Sequence, residues 1–119
     1  MGDSSEPPIA QFRLRIRKGP HVAIGPGKIA LLEAIGRTGS ISAAARSLGM
    51  SYRRAWLLID EMNACMRRPA VATATGGVRG GGSRLTPEGV DVIARYRAIE
   101  KRAHSAVASE LDALLRHLA

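Results

Sequence analysis

The sequence predicts a mainly α-helical fold with a small β component. Apolar residues recur at spacings of three and four in the middle and at the end of the chain, which is typical of amphipathic helices. Strictly alternating residues near the start, and β-forming residues around a glycine-rich stretch, predict short strands. With 119 residues, 45% of them hydrophobic, the chain is long enough for one domain with a buried core.

The charge balance is strongly basic. The 18 Lys and Arg residues outnumber the 10 Asp and Glu residues, giving a net charge of +8, and arginine predominates among the cations. Arginine suits bidentate contacts to phosphate and guanine, so this balance favours a nucleic acid as partner. A GC-rich genome that favours Arg and Ala would also produce a basic composition.

The sequence contains little that points to other classes of protein. Cys65 is the single cysteine, which excludes a disulfide within the chain and a thiolate metal cluster. His21, His104 and His117 stand too far apart for metal-ligand spacing. No nucleophile–base pair, cofactor motif, signal peptide or long apolar run is present, so we expect a cytoplasmic protein that is not an enzyme and uses no metal, cofactor or membrane.

The first elements follow a polar, proline-bearing arm, residues 1–10, which we expect to be disordered. Residues 12–17 alternate apolar and cationic side chains, which predicts a strand with one buried face. Gly19 and Pro20 predict a turn, and residues 21–24 can form a second short strand.

A first helix is predicted to open at the Gly-Pro-Gly of residues 25–27. Proline is favoured at the first helical position because its missing N–H has no intrahelical acceptor there. Ile29, Leu32 and Ile35 recur at core spacing, and the helix should end near the glycines of residues 36–39.

A helix-turn-helix is predicted to follow. Ser40 can cap a short alanine-rich helix, and Ser51 can cap the next helix, because a serine hydroxyl accepts a hydrogen bond from the first turn. Ala44 and Ala45 are small enough for the two helices to cross closely. Gly49 can adopt the positive φ of a tight turn at little steric cost. Any two amphipathic helices joined by a glycine share part of this pattern.

The second of these helices, predicted over residues 51–66, has two distinct faces. Its core stripe comprises Ala55, Leu58, Ile59, Met62 and Met66. The opposite stripe comprises Arg53, Leu57, Asp60 and Ala64. In helix-turn-helix proteins the N-terminal turn of the second helix reaches base edges in the major groove, so the base-reading candidates are Ser51, Tyr52, Arg53 and Trp56. Trp56 could instead serve packing.

A β-hairpin is predicted after this helix. Residues 70–75 are rich in β-formers and can pair with residues 83–86 across a glycine-rich loop. Such a hairpin would be a wing, residues 76–84, in which Arg79 and Arg84 supply charge for a phosphate ridge or a minor groove. The loop could also be simply solvated and mobile. It lacks the Gly-Lys-Ser/Thr of a phosphate-cradling nucleotide loop.

The last element is predicted to be one helix of about 30 residues, since Thr86 can cap it, Pro87 suits its first position and residues 90–118 contain no proline or glycine. So long an apolar stripe requires a partner helix, which favours a homodimer. After Val92, the stripe contains the dimer-interface candidates Tyr96, Ile99, Ala103, Val107, Leu111, Leu114 and Leu118. The alternative is that the helix folds back on its own domain, as Val90 and Ile93 near the wing suggest.

The chain therefore divides into the arm of residues 1–10, a winged helix-turn-helix DNA-binding domain of residues 11–86, and a C-terminal dimerisation helix of residues 87–119. Candidates for contacts to DNA phosphate, from the helices and the wing, are Lys28, Ser40, Ser42, Arg46, Arg54, Arg79 and Arg84.

Five motifs together resemble a known family. They are Gly-Ser-Ile-Ser-Ala-Ala-Ala (39–45), Ser-Tyr-Arg-Arg-Ala-Trp (51–56), Ile-Asp-Glu-Met-Asn (59–63), Ala-Thr-Gly-Gly (74–77), and Gly-Gly-Gly (80–82) followed by Leu-Thr (85–86). Over about residues 12–118 the chain resembles the N-terminal domain of the ModE family of molybdate-responsive transcriptional regulators. This resemblance implies a winged helix-turn-helix of the LysR type that dimerises through its last helix. It also implies that Tyr52, Arg53 and Trp56 lie at the DNA-facing turn.

The expected function is that of a dimeric regulator that binds double-stranded DNA, with molybdenum-related genes as the first targets to examine. The family's molybdate-binding domains normally follow the last helix, whereas this sequence stops at Ala119. Direct binding of molybdate is therefore not expected. The alternative is a winged-helix adaptor that binds another protein and does not read DNA, although Arg53 and the basic wing favour DNA.

Overall fold

The computed structural model describes residues 5–73 and 82–118. The elements in chain order are β1 (Ile16–Lys18), β2 (His21–Ile24), α1 (Pro26–Thr38), α2 (Ile41–Ser47), α3 (Tyr52–Cys65), β3 (Val71–Thr73), β4 (Ser83–Leu85), α4 (Pro87–Ala106) and α5 (Ala108–Leu115). Two antiparallel sheets of two strands each, β1–β2 and β3–β4, accompany the helices. The predicted fold class, a mainly α winged helix-turn-helix, is confirmed.

Helix α1 lies at the centre of the core and contacts α2, α3, α4 and β4. Its predicted core residues Ile29, Leu32 and Ile35 are fully buried. The other buried apolar residues packed into the same cluster are Leu31, Ala34, Ile41, Ala44, Ala45, Ala55, Ile59, Met62, Ala70, Val71 and Tyr96. Because α2 and α3 both pack against α1, the direction in which the outer face of α3 points is fixed.

The capping and turn predictions for the helix-turn-helix are confirmed. The Ser40 hydroxyl accepts a hydrogen bond from the backbone N–H of Ala43 (3.1 Å). The Ser51 hydroxyl likewise accepts one from the N–H of Arg54 (3.0 Å). Gly49 has a φ of 67°, in the left-handed region that glycine adopts without a steric penalty. The start of each helix is thus set by residues next to it in the sequence.

The N-terminal strand is shorter than its alternation predicts. Only Ile16 and the two residues after it pair with β2, and the register shifts directly after Ile16. Phe12 and Ile16 are exposed and Leu14 is half-buried, so the prediction of a strand with one buried face over residues 12–17 is wrong. The reason is that β2 has only four residues, which leaves residues 12–15 without a partner strand in the described part of the chain.

The C-terminal helix is interrupted. The prediction of one continuous helix is corrected at Val107, whose φ of −116° and ψ of 18° lie outside helical geometry. Its N–H donates to the carbonyl of Ser105, and a new helix starts at Ala108. Val107 is the N-cap residue of α5 and has no capping side-chain hydrogen bond.

The described part of the wing is held to both neighbouring helices. The Asn63 side chain of α3 accepts a hydrogen bond from the N–H of Ala70 (2.8 Å) and donates one to the carbonyl of Val71 (3.3 Å). At the start of α4, a Cβ at Gly89 would overlap the carbonyl oxygen of Ala70. The predicted strands of the hairpin are present as β3 and β4. Its glycine-rich loop, including Arg79, lies outside the described residues.

Candidate nucleic-acid interface

The N-terminal turn of α3 presents cationic and aromatic side chains to solvent. Tyr52 is 55% exposed, and Arg53 and Arg54 are exposed beside it. On the underside of the same helix Ala55 and Ile59 are buried in the core. Because the underside anchors the helix, the exposed turn is available to a partner without any rearrangement of the fold.

The other two base-reading candidates have additional contacts. The rings of Tyr52 and Trp56 meet edge to face, with centroids 6.1 Å apart and an interplanar angle of 80°. Trp56 is half-buried and packs against the core, so part of its indole serves packing. The Ser51 hydroxyl accepts the capping hydrogen bond from Arg54, yet its own proton can still be donated to a ligand.

The face of α3 opposite the core has the composition that its periodicity predicts. Arg53, Asp60 and Ala64 are exposed, and Leu57 between them is 58% exposed. This face therefore carries one cation, one large apolar side chain and one carboxylate over about two helical turns.

The structure places most of the phosphate-contact candidates on the surface. Ser42 and Arg46 of α2, Arg54 of α3 and Arg84 of β4 are exposed. Ser40 is half-buried, and its hydroxyl caps α2. Arg79 lies outside the described residues.

The phosphate-contact prediction for Lys28 is wrong. The side chain is only 5% exposed, and its ammonium donates hydrogen bonds to the carbonyl of Val22 and to the carboxylate of Glu61. The hydrogen bond from Lys28 also lowers the pKa of Glu61 below its ordinary value. The prediction failed because a lysine in the first turn of a helix is usually exposed, whereas this one faces β2 and α3. The carboxylate that neutralises it lies 33 residues further along the chain.

Sequence reasoning missed two cations close to α3. Arg13 and Arg15 line a surface groove together with Arg54, and Pro26 and Met50 form part of its wall. The alternating pattern of residues 12–17 was the signal, since alternation places Arg13 and Arg15 on one side of an extended chain. Because the pattern was interpreted as a strand with one buried face, Arg13 and Arg15 were not predicted to bind DNA.

Ion pairing is unevenly distributed over the surface. Three arginines of the α3–β3 connection and α4 are paired with carboxylates: Arg68 with Glu88 (3.2 Å), Arg95 with Asp91 (2.8 Å), and Arg97 with Glu33 and Glu100 (2.6 and 2.7 Å). Within residues 5–73 and 82–118, no such pair involves Arg13, Arg15, Arg46, Arg53, Arg54 or Arg84. Arg37, Lys101, Arg102 and Arg116 are likewise unpaired within these residues, so cationic charge is available around α2, α3 and β4 and also on the C-terminal helices.

One dimer-interface candidate belongs to the core of its own domain. Tyr96 is 2% exposed and its hydroxyl donates a hydrogen bond to the carbonyl of Leu14 (2.8 Å). Burial is the main cause of the raised pKa of this phenol. Tyr96 is therefore removed from the interface candidates; the N-terminal segment that covers it could not be placed from the helical stripe alone.

The remaining interface candidates stay accessible to different degrees. Ile99, Leu114 and Leu118 are exposed, with Leu114 at 64%. Ala103, Val107 and Leu111 are half-buried.

The described residues contain neither a cluster suited to a metal ion nor a helix suited to cross a membrane. No three His, Cys, Asp or Glu side chains in that part of the chain lie close enough together to hold a metal ion. No helix formed by residues 5–73 and 82–118 is sufficiently long and apolar to cross a membrane.

Comparison with known proteins identifies the same region. The family model of the bacterial regulatory helix-turn-helix proteins of the lysR family matches residues 27–90. The molybdenum-pterin-binding protein MopB of Rhodobacter capsulatus is 54% identical over 77 residues, 65% of this chain and 28% of MopB. The molybdenum transport protein ModE of Azotobacter vinelandii is 45% identical over 85 residues, 71% of this chain and 32% of that protein. The DNA-binding transcriptional dual regulator ModE of Escherichia coli K12 is 37% identical over 107 residues, 88% of this chain and 41% of that protein.

The chain spans between 28% and 41% of the length of these three relatives. The matched region runs from α1 to the first turn of α4, so it contains the helix-turn-helix and the wing. The resemblance to the ModE family is thereby confirmed. The chain belongs to the lysR family of bacterial regulatory helix-turn-helix proteins, and ModE proteins are among the relatives that it resembles.

Proposed function

We propose that the protein is a dimeric transcriptional regulator that binds a specific DNA operator through the N-terminal turn of α3. The observation that carries this proposal is the exposure of Tyr52 and Arg53 above a buried helix underside. A helix held in this way can enter a major groove, which is wide enough for it and displays a distinct pattern for each base pair. The wing would lie on the backbone or in the adjacent minor groove.

Arg53 is the residue that we expect to read a base edge. A guanidinium can donate two parallel hydrogen bonds to O6 and N7 of guanine, which contributes about 1–3 kcal/mol of discrimination. Tyr52 could contact a thymine methyl group or the sugar-phosphate backbone. The exposed arginines Arg46, Arg54 and Arg84 would contact phosphates, which orient the protein but select no sequence.

Dimerisation would use the exposed apolar residues of α4 and α5. Ile99 on α4, Leu114 on α5 and Leu118, three residues after the end of α5, are 49%, 64% and 57% exposed. A two-fold axis through such an interface would place two copies of α3 in successive major grooves, roughly 34–36 Å apart. The operator is then expected to be an inverted repeat.

The targets proposed first are genes connected with molybdenum. Two of the relatives are named molybdenum transport protein ModE and molybdenum-pterin-binding protein MopB. Those names describe the relatives, and they make the promoters of molybdenum-related genes in the source genome the rational first probes.

Fluorescence anisotropy with such promoter fragments and with shuffled fragments tests the proposal. We expect the intact chain to prefer one promoter, and Arg53→Ala to weaken specific binding more than non-specific binding. Arg95→Ala is the matched control, because it removes the same charge from an ion-paired arginine on α4. Equal loss on all fragments would make Arg53 a phosphate contact. No preference for any fragment would favour the adaptor alternative.

A further inference from the structure

Leu57 is a large apolar side chain on the surface that the proposed function places against DNA. It is 58% exposed and lies one helical turn after Arg53 and three residues before Asp60. The buried residues of α3 are Ala55, Ile59 and Met62, so the helix needs no contribution from Leu57 to its own packing. Single exposed leucines are common on protein surfaces, but this one is in the middle of a charged face.

We infer that Leu57 reads thymine through the C5-methyl group of the base. This inference rests on the proposed function. In the major groove thymine alone among the four bases displays a methyl group, and an apolar side chain that covers it removes two apolar surfaces from water. The amino groups of cytosine and adenine are polar, so a leucine beside either of them would form no favourable apolar contact.

The spacing of the two residues sets the positions of the two bases. Four residues of helix rise by about 6 Å, whereas successive base pairs are separated by about 3.4 Å. Arg53 and Leu57 would therefore address bases that lie one or two steps apart. We expect the half-site to contain a guanine contacted by Arg53 and, at that distance, a thymine contacted by Leu57.

Replacement of thymine by uracil tests this inference, because uracil lacks only the methyl group. With the operator found as above, each thymine of the half-site is replaced in turn and the Kd is measured for the intact chain and for Leu57→Ala. We expect a loss of about fourfold at one thymine with the intact chain, the effect of roughly one buried methyl group. Leu57→Ala should bind more weakly and should no longer distinguish thymine from uracil there.

Val90→Ala is the matched control, since Val90 is also an exposed apolar residue but lies on α4. It should retain the thymine preference. Unchanged discrimination by Leu57→Ala at every thymine would overturn the inference while leaving DNA binding intact. Loss of a protein partner or of self-association in Leu57→Ala, with normal binding to the operator, would also overturn it. Failure of the intact chain to select any operator would overturn the proposed function as well.

A second inference rests on the groove lined by Arg13, Arg15 and Arg54. Lys28 and Glu61 also line this groove, but they neutralise one another, so the net charge comes from the three arginines. The segment that carries Arg13 and Arg15 is held in place because the Tyr96 hydroxyl donates a hydrogen bond to the carbonyl of Leu14 between them (2.8 Å).

We propose that this groove binds phosphates of the DNA strand that borders α3, an inference that also rests on the proposed function. Arg54 belongs to the first turn of α3 and lines the same groove as Arg13 and Arg15, so a DNA backbone beside this turn can reach all three side chains. Because the main chain at Leu14 is already ordered, less entropy is lost when Arg13 and Arg15 bind than if they belonged to a freely mobile arm.

The salt dependence of binding tests this second proposal. Each phosphate contact that is lost should lower the slope of log K against log salt by about 0.9. Arg13→Gln/Arg15→Gln is expected to lower it by at least that amount and to weaken specific and non-specific DNA alike. The control Arg95→Gln/Arg102→Gln removes equal charge from α4 and should change the slope little. Equal slopes for the two double variants would overturn the proposal, as would a loss confined to the operator.

Discussion

The ammonium group of Lys28 is buried between β2 and α3, where it donates hydrogen bonds to the carbonyl of Val22 and the carboxylate of Glu61. This arrangement connects the first turn of α1 to the middle of α3. Glu61 remains 40% exposed, so water can reach one partner of the pair while the other is nearly dry. The DNA-facing helix is thus attached to the core by an ion pair as well as by apolar packing.

Unequal burial predicts unequal effects of removing each partner. Glu61→Ala leaves a buried ammonium without its anion, and we expect it to destabilise the fold by about 2–4 kcal/mol, somewhat less than for a fully buried pair. Lys28→Met leaves a carboxylate that water can solvate and one unpaired carbonyl, at about 1–3 kcal/mol. Denaturation in urea measures both. A larger loss for Lys28→Met would contradict this account, and Lys28→Met should leave the salt slope of DNA binding unchanged.

The ion pair between Glu33 and Arg97 predicts a dependence of stability on pH. The hydrogen bond from Arg97 is the main cause of the lowered pKa of Glu33. A lowered carboxyl pKa contributes stability above its ordinary value of 4.5, and this contribution is lost as the pH falls through the pKa of the folded state. Glu33→Gln should therefore be less stable by about 1 kcal/mol at pH 7. Its free energy of unfolding should also depend less on pH in the acid range.

Urea denaturation between pH 7 and pH 3 measures this effect. Glu110→Gln is the control, since Glu110 is an exposed glutamate on α5. We expect it to follow the curve of the unchanged chain. If Glu33→Gln shows the same acid dependence as this control, the pair contributes nothing.

The close approach of Gly89 to Ala70 predicts a steric penalty at the joint between wing and α4. A Cβ at Gly89 would overlap the backbone carbonyl oxygen of Ala70, which cannot rotate away as a side chain can. We expect Gly89→Ala to cost about 1–3 kcal/mol. Gly27→Ala in α1 is the matched control. A Cβ at Gly27 would meet no atom within 4 Å, so this variant should be neutral or more stable. Thermal unfolding measures the stability of both variants. If Gly89→Ala is as stable as the unchanged chain, the backbone at Ala70 and Gly89 can move apart at little cost.

The Ser51 cap allows helix stability to be separated from DNA affinity. Ser51→Ala removes the acceptor for the Arg54 N–H and should destabilise the fold by about 1 kcal/mol. Ser51→Asp keeps a capping oxygen, so stability should be retained, but it adds a negative charge at the proposed DNA surface. We expect Ser51→Asp to weaken DNA binding although its unfolding curve is unchanged. Normal binding by Ser51→Asp would place this turn away from DNA.

Exposed residues on α5 allow dimerisation to be tested without damage to the monomer. Leu114 is 64% exposed, so Leu114→Lys should not disturb the core of its own chain. We expect this variant to sediment as a monomer and to lose operator affinity, since each half-site is then bound singly. Ser109→Lys, about 140° around the helix, is the control. A dimer that persists in Leu114→Lys would exclude this part of α5 from the interface.

Much of the helix-turn-helix was predictable because its determinants act over a few residues. The capping hydrogen bonds of Ser40 and Ser51 each reach three residues along the chain. The buried side of α3, Ala55 and Ile59 among its residues, also agrees with the helical period. These local interactions were sufficient to locate the turn that presents Arg53.

The N-terminal segment was predicted incorrectly because strand pairing needs a partner of matching length. Residues 12–17 satisfy the alternation rule, but β2 offers only four residues for pairing. The segment instead covers Tyr96, which lies 82 residues from its hydrogen-bond partner Leu14.

The sequence by itself determined where the helices of the DNA-binding motif begin, how its turn is made and which side of α3 faces outward, since each of these depends on neighbours within a few positions. Only the tertiary structure decided that Lys28 and Tyr96 are buried and that Arg13 and Arg15 line a groove with Arg54. The physical reason is that burial and charge pairing depend on groups brought together in space, and no local pattern indicates which distant segment will provide them.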